Sequence, residues 1–176
     1  MSFDKASHSA TPKALPMRPF SESLPMTLLR AREAVMRLFR PGLRKRGVTE
    51  QQWRILRALA HAGPLEITEL AEATFLLAPS LSRILPQLEQ RSLISRRQLD
   101  SDLRRSVIRL EPPGLRLIAA HAPYSEAVYA QILERFGARK LTQLSELLHE
   151  LEEALQAPDS QPASTAKRSD RKVLER

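Results

Sequence analysis

The chain of 176 residues contains no cysteine, which removes disulfides, thiol nucleophiles, thiol-based redox sensing and cysteine-held metals from its chemistry. Glycine is scarce, and its 5 residues form neither a phosphate-cradling glycine loop nor a G-x-S-x-G elbow. The four histidines, His8, His61, His121 and His149, are widely separated, and no H-E-x-x-H pattern or carboxylate cluster accompanies them. The expectation is therefore a protein with no catalytic residues, no metal and no cofactor. The N-terminus lacks the apolar run of a signal peptide, and no later apolar run is long enough to span a bilayer. These features predict a soluble, cytoplasmic protein with no membrane partner.

What is abundant is positive charge. Lys and Arg number 28 against 20 Asp and Glu, a net charge of +8 that calls for an anionic partner. Nucleic acid is the commonest such partner, but an anionic membrane surface also suits this balance, so charge alone does not decide. The length allows one substantial core. Leu, Ala, Glu and Arg fill most periodic segments, as in a mainly helical protein. Residues 1–22 and 157–176 mix Ser, Pro, Ala and charge without periodicity and are expected to be disordered. Lys167, Arg168, Arg171 and Lys172 in the second of these would add nonspecific affinity for phosphate.

Between the tails, apolar spacing predicts a helix over 24–39, ended by Pro41-Gly42. Thr49 caps the next helix, TEQQWRILRALAHAG, with Gln52 at capping-box spacing, and Gly63-Pro64 stops it. A short helix over 66–76 offers Ile67, Leu70, Ala71 and Thr74 to a following helix over 78–93. In that second helix Leu81, Ile84, Leu85 and Leu88 share one face, and Pro86 predicts a bend. The opposite face carries Ser80, Ser82, Arg83, Gln87 and Gln90, side chains able to bond base edges or phosphates with no carboxylate among them. An ordinary solvated helix face has the same composition.

The next segment discriminates between those accounts. Residues 95–98 and 105–110 form the arms of a predicted hairpin around 99–104, crowded by Arg96, Arg97, Arg104, Arg105 and Arg109. Such crowding is costly unless a polyanion neutralises it. Asp100 and Asp102 are placed to orient Arg104 and Arg105 by charge-assisted hydrogen bonds; a solvated, salt-bridged turn is the competing account. A long helix to Phe136, Gly137 and a last helix over 138–155 follow. Leu141, Leu144, Leu148, Leu151 and Leu155 make a stripe in the last helix that the wing cannot cover, so a twofold dimer is expected. Two recognition helices would then meet a palindrome with half-sites about 34 Å apart. The expected fold is thus mainly α: a winged helix-turn-helix with a small β-hairpin wing at 49–111, and a helical dimerisation region from 24–40 and 114–156.

Three segments, TEQQWRILRAL at 49–59, SLSRILPQLEQRSLI at 80–94 and DSDLRRSVIRL at 100–110, resemble the MarR family of bacterial transcription regulators, within a likeness spanning roughly 24–155. The family marks its wing tip with an aspartate, one residue and two basic residues, matched here by Asp102, Arg104 and Arg105. LEPPG at 110–114 departs from the family's usual Leu-Thr at the start of the fifth helix. Residues 28–59 resemble the branch that regulates aromatic-acid breakdown, of the homoprotocatechuate-degradation type, and neighbouring branches answer to hydroxynicotinate-type pyridines.

The resemblance implies a dimeric repressor that a small aromatic carboxylate releases from a palindromic double-stranded DNA operator, controlling an aromatic-acid catabolic operon. Ser80, Ser82, Arg83 and Gln87 would read the major groove. Arg96, Arg97, Asp102, Arg104 and Arg105 would form the wing contact, with Arg104 in the minor groove. For the effector, Arg32 lies within the apolar arc of Leu28, Val35 and Phe39, while Arg30, Arg37 and Arg40 point elsewhere. Its guanidinium needs an acceptor, which is either a ligand carboxylate or Glu33, Glu50 or a partner subunit's carboxylate. Trp53 suits an aromatic wall or, with Leu56 and Ala60, the core; His61 suits a ring hydroxyl or simply a helix end. The competing function is a winged-helix module that binds DNA constitutively, or binds protein, without an effector.

Overall fold

A computed structural model describes residues 18–99 and 102–156, with Leu99 and residues 102–104 described by backbone alone. A 3-10 turn at Phe20–Glu22 precedes α1 (Leu24–Lys45) and α2 (Glu50–Ala62). Then come β1 (Leu65–Glu66), α3 (Ile67–Thr74), α4 (Ala78–Gln90), β2 (Ile94–Leu99), β3 (Asp102–Leu110), α5 (Pro112–Phe136) and α6 (Ala138–Gln156). The mainly α winged-helix class read from the sequence is the class observed. The sheet is larger than the expected hairpin: β1 pairs with β3, giving the antiparallel order β1-β3-β2. Most of the two segments expected to be disordered falls outside the described residues. No helix among the described residues is long and apolar enough to cross a membrane.

Contacts divide the chain into two compact units, residues 1–128 and 129–176. In the first, Ile55, Leu56 and Leu59 of α2, Leu70 of α3, Leu81, Leu85 and Leu88 of α4 and Ile108 of β3 form one buried core. Ile94 and Ile108 come from the inward face of the wing, so the sheet is anchored to the helices through its own alternation. In the second unit no residue of α6 is buried. Leu144, Leu147, Leu148 and Leu155 are exposed there, whereas Leu141 and Leu151 are half-buried.

Several helix ends differ from the expected ones for identifiable reasons. The first helix was expected to stop at Pro41-Gly42, but α1 continues to Lys45. Pro41 forfeits one intrahelical bond. Gly42, however, is where α1 meets α5, and a Cβ there would overlap the Tyr124 ring and press on His121. The Tyr124 hydroxyl also donates to the Leu38 carbonyl at 2.7 Å, tying the two helices together. The helix then ends in a left-handed Gly47, with the Val48 N–H returning to the Leu43 carbonyl at 3.1 Å. The same device stops α3 at Thr74, where Phe75 is left-handed and Leu76 bonds back to Ala71 at 3.2 Å, and α4 at Gln90, where Ser92 is left-handed and Leu93 bonds back to Leu88 at 3.0 Å. The last of these drops Leu93 and Ile94 into the core rather than leaving Leu93 on the helix. Pro86 lies inside α4 without ending it.

Candidate nucleic-acid interface

Two caps hold the helix-turn-helix in place. Glu66 caps α3 reciprocally with Glu69, whose carboxylate accepts the Glu66 N–H at 2.7 Å. At the other end Arg54 of α2 donates to the Thr74 carbonyl at 2.7 Å, and the buried Thr74 hydroxyl donates to Leu70 at 2.5 Å. The chain turns sharply through left-handed Phe75 into α4, leaving Phe75 79% and Leu77 77% exposed beside the first turn of the recognition helix. Two large apolar side chains at the mouth of a polar face were not singled out from the sequence, where they look like core residues.

On α4, Leu81, Ile84, Leu85 and Leu88 are buried, as their spacing requires. Ser82, Arg83 and Gln87 are exposed on the other side, and Ser80 is half-buried. Arg83 forms no hydrogen bond or ion pair with any described residue, so its guanidinium stands available to an anion. Gln87 is different: its Oε1 accepts a hydrogen bond from Gln52 Nε2 at 3.0 Å.

The wing sorts its arginines by strand register. Arg96 lies opposite Ile108, on the core-facing side, and reaches Glu89 of α4 at 3.6 Å, bracing that helix. Arg97 lies opposite Val107, and Ser95 opposite Arg109, so Arg97 and Arg109 share the outer face. With Pro64, Val107 and Glu111 they line a depression of about 380 Å³. Arg105 is held by Glu66 of β1, its Nε donating to Oε2 at 2.9 Å and its Nη2 to Oε1. Glu66 is a partner that sequence reasoning missed, because β1 was not expected; Asp100 lies outside the described residues. The side chains of Asp102 and Arg104 do too.

The residues considered for an effector lie around α1 and α2. Arg32 is about half exposed and forms ion pairs with Glu33, at 2.9 Å, and with Glu50. Arg40, expected to point elsewhere, joins the same carboxylates at 2.7 Å and 3.2 Å. The Arg40 hydrogen bond holds the Glu33 carboxyl below its usual range, overcoming a smaller opposing effect of burial. Trp53 is half-buried, and its ring meets that of His121 edge-on with centroids 4.5 Å apart. His61 is exposed at the end of α2. His121 was not singled out beforehand, yet it is 1% exposed and neither ring nitrogen meets a hydrogen-bonding group among the described residues. Burial, and next the positive charge of Arg46, lower its pKa.

Comparison with known proteins places these features in context. The model of the MarR family matches residues 48–106, which contain α2, the helix-turn-helix and most of the wing. The homoprotocatechuate degradative operon repressor of Escherichia coli is 40% identical over 129 residues, covering 73% of this chain and 87% of that protein. The crystal structure of transcriptional regulator PA4135 is 42% identical and superposes with a TM-score of 0.73 over 77% of this chain and 98% of the other. NadR in complex with 4-hydroxyphenylacetate is 37% identical, with a TM-score of 0.66 over 78% of this chain and 97% of the other.

Proposed function

This chain belongs to the MarR family of transcriptional regulators and is a DNA-binding repressor of that kind; from that premise we propose that it works as a cytoplasmic homodimer, released from a palindromic operator by a small aromatic carboxylate. Residues 49–111 are the DNA-binding module, and 24–40 with 114–156 supply the dimerisation helices. Ser80, Ser82, Arg83 and Gln87 enter the major groove. Arg97 and Arg104 carry the wing's contact with phosphate and the adjacent minor groove, while Arg105 and Arg96 brace the sheet through Glu66 and Glu89.

The observation that carries this reading is the exposed polar face of α4, with Arg83 free of partners among the described residues and no carboxylate among Ser80, Ser82, Arg83 and Gln87. Dimerisation is supported by leucines left exposed, Leu24, Leu28 and Leu29 on α1 and Leu144, Leu147 and Leu148 on α6. An aromatic carboxylate as effector is supported by the relatives: one is named for homoprotocatechuate degradation, and another was crystallised with 4-hydroxyphenylacetate. Within this chain Arg32 and Trp53 on neighbouring helices offer a cation and an aromatic surface, with His61 further along α2. A ligand carboxylate reaching Arg32 would displace Glu33 or Glu50 and so disturb the α1–α2 ion-pair network.

That network also favours the second reading, a constitutive DNA binder, because Arg32 already has two carboxylates and needs no ligand. Fluorescence anisotropy separates the two. The protein is bound to DNA from its own upstream intergenic region at fixed salt and titrated with 4-hydroxyphenylacetate, 3,4-dihydroxyphenylacetate and 6-hydroxynicotinate in turn. Release by one of them is the expected result; tight, sequence-specific binding indifferent to all three supports a different inducer or the constitutive module.

A further inference from the structure

A glutamine on a recognition helix reads DNA differently according to which end of its amide faces the groove. The amine donates to guanine O6 or N7, adenine N7 or thymine O4, whereas the carbonyl accepts from adenine N6 or cytosine N4, so an outward amine rejects cytosine and an outward carbonyl rejects guanine and thymine. Oxygen and nitrogen of an amide look alike, so the direction has to be inferred from the hydrogen-bond partners. At Gln87 those partners form a chain that begins at a group of fixed polarity.

The Thr49 backbone N–H can only donate, and it meets Gln52 Oε1 at 2.9 Å. This settles the Gln52 amide, whose Nε2 is left to donate, and it donates to Gln87 Oε1 at 3.0 Å. Gln52 is itself further fixed, since its own N–H donates to the Thr49 hydroxyl at 3.1 Å and the residue is 6% exposed. Turning either amide over would set two N–H groups, or two oxygens, against each other, with the Gln52 side of the pair shielded from water. Gln87 therefore keeps its carbonyl toward α2 and its amine toward solvent on the exposed face of α4.

We propose that Gln52 is a specificity-determining positioning residue: through the capping box of α2 it fixes Gln87 as an outward donor, which selects against cytosine, the one base without a major-groove acceptor, on the contacted strand of one base pair in each half-site. The proposal rests on the reading that Gln87 faces the major groove. A residue whose local task is to cap a helix thus also sets the polarity of a DNA-reading side chain on another helix.

The test measures anisotropy affinities at fixed salt for the wild-type protein and variants on operator fragments carrying each of the four base pairs at every half-site position. Wild type is expected to disfavour cytosine relative to guanine or thymine at one position by roughly fivefold or more. Gln87→Ala should flatten that position alone. In Gln52→Glu the carboxylate still accepts from Thr49 and now demands a donor from Gln87, whose amide turns over, so cytosine becomes accepted and guanine and thymine, which present no donor, become disfavoured. The added negative charge lowers affinity for all fragments alike and leaves the ratios readable. Gln52→Leu, which removes the clamp without charge, should reduce the preference without reversing it, and Gln87→Glu should move it to cytosine with Gln52 intact. If Gln87→Ala flattens the position while Gln52→Glu and Gln52→Leu keep the wild-type preference, Gln87 reads DNA but Gln52 does not direct it, and the inference is overturned. If Gln87→Ala leaves the whole profile unchanged, the placement of Gln87 in the groove itself fails.

Discussion

Replacement of His121 by leucine should stabilise the protein and flatten its stability profile in mild acid. The imidazole is 1% exposed on α5, against the edge of Trp53, the Tyr124 ring and the backbone of Gly42, and neither nitrogen has a partner among the described residues. A buried polar group without a partner costs about 1–3 kcal/mol. Leucine removes that cost but forfeits the edge-on contact with Trp53, worth about 0.5–1.5 kcal/mol. The difference favours the variant by roughly 1 kcal/mol at neutral pH, the two effects being of comparable kind and partly offsetting.

The pH dependence has a definite sign. The folded-state pKa of His121 is lowered, mainly by burial and secondarily by Arg46, which itself donates to the Ala120 carbonyl one residue away. The other groups facing the ring are the aromatic rings of Trp53 and Tyr124. Below the ordinary histidine value of about 6.5 the unfolded chain binds a proton that the folded chain refuses, so unfolding is promoted as pH falls. The stability from this group is complete above that value. It declines below it with a slope of at most about 1.4 kcal/mol per pH unit, until the lowered folded-state pKa is reached. Urea unfolding at several pH values between 7.5 and 5.5, at one protein concentration, measures both effects. An unaltered acid slope in His121→Leu, or a variant less stable than wild type by more than about 2 kcal/mol at neutral pH, would refute the assignment of a stranded neutral imidazole.

Other substitutions probe the remaining elements. Arg83→Ala should cost about 1–3 kcal/mol of operator affinity and relax base preference at the pair it contacts, read by anisotropy; a uniform loss across sequences would make it a phosphate contact instead. Arg104→Ala should cost about 1–3 kcal/mol of DNA binding while leaving the proposed dimer intact by size-exclusion chromatography, and unchanged affinity would remove the wing from the mechanism. Gly42→Ala should destabilise by about 1–3 kcal/mol or more in thermal melts, because the new methyl meets the Tyr124 ring at the α1–α5 crossing. Phe75→Gly should raise stability by roughly 1 kcal/mol, since it relieves a left-handed φ of 51° while removing a side chain that is 79% exposed.

The order of elements was legible because its signals are local. Thr49 and Gln52 announce the capping box at the start of α2, and both halves of that box form. Apolar spacing over 81–88 placed the buried face of α4, and with it the exposed face. What was not legible depends on distant partners. Pro41-Gly42 carries a local stop signal, and the helix continues because Tyr124, far along the chain, requires a residue without a side chain at that crossing. The strand β1 is two residues long, too short for any alternation, and exists only through its pairing with β3.

The same distinction governs the arginines, which is why composition alone misjudges this surface. Arg32, Arg83, Arg96 and Arg105 count alike in the composition, and the fold divides them by the carboxylates it brings near. Arg96 meets Glu89, Arg105 meets Glu66, and Arg32 meets Glu33 and Glu50; Arg83 meets none among the described residues. An exposed pair contributes little to stability, so these bridges matter more for where they direct the guanidinium than for the energy they add. An arginine already held by a carboxylate must exchange that partner for a phosphate, whereas a free one exchanges only water and counterions. Arg83 should therefore contribute more than Arg96 or Arg105 to both affinity and its salt dependence. The slope of log Kd against log salt supplies the measure: substitution of Arg83 should reduce it by clearly more than substitution of Arg96 or Arg105.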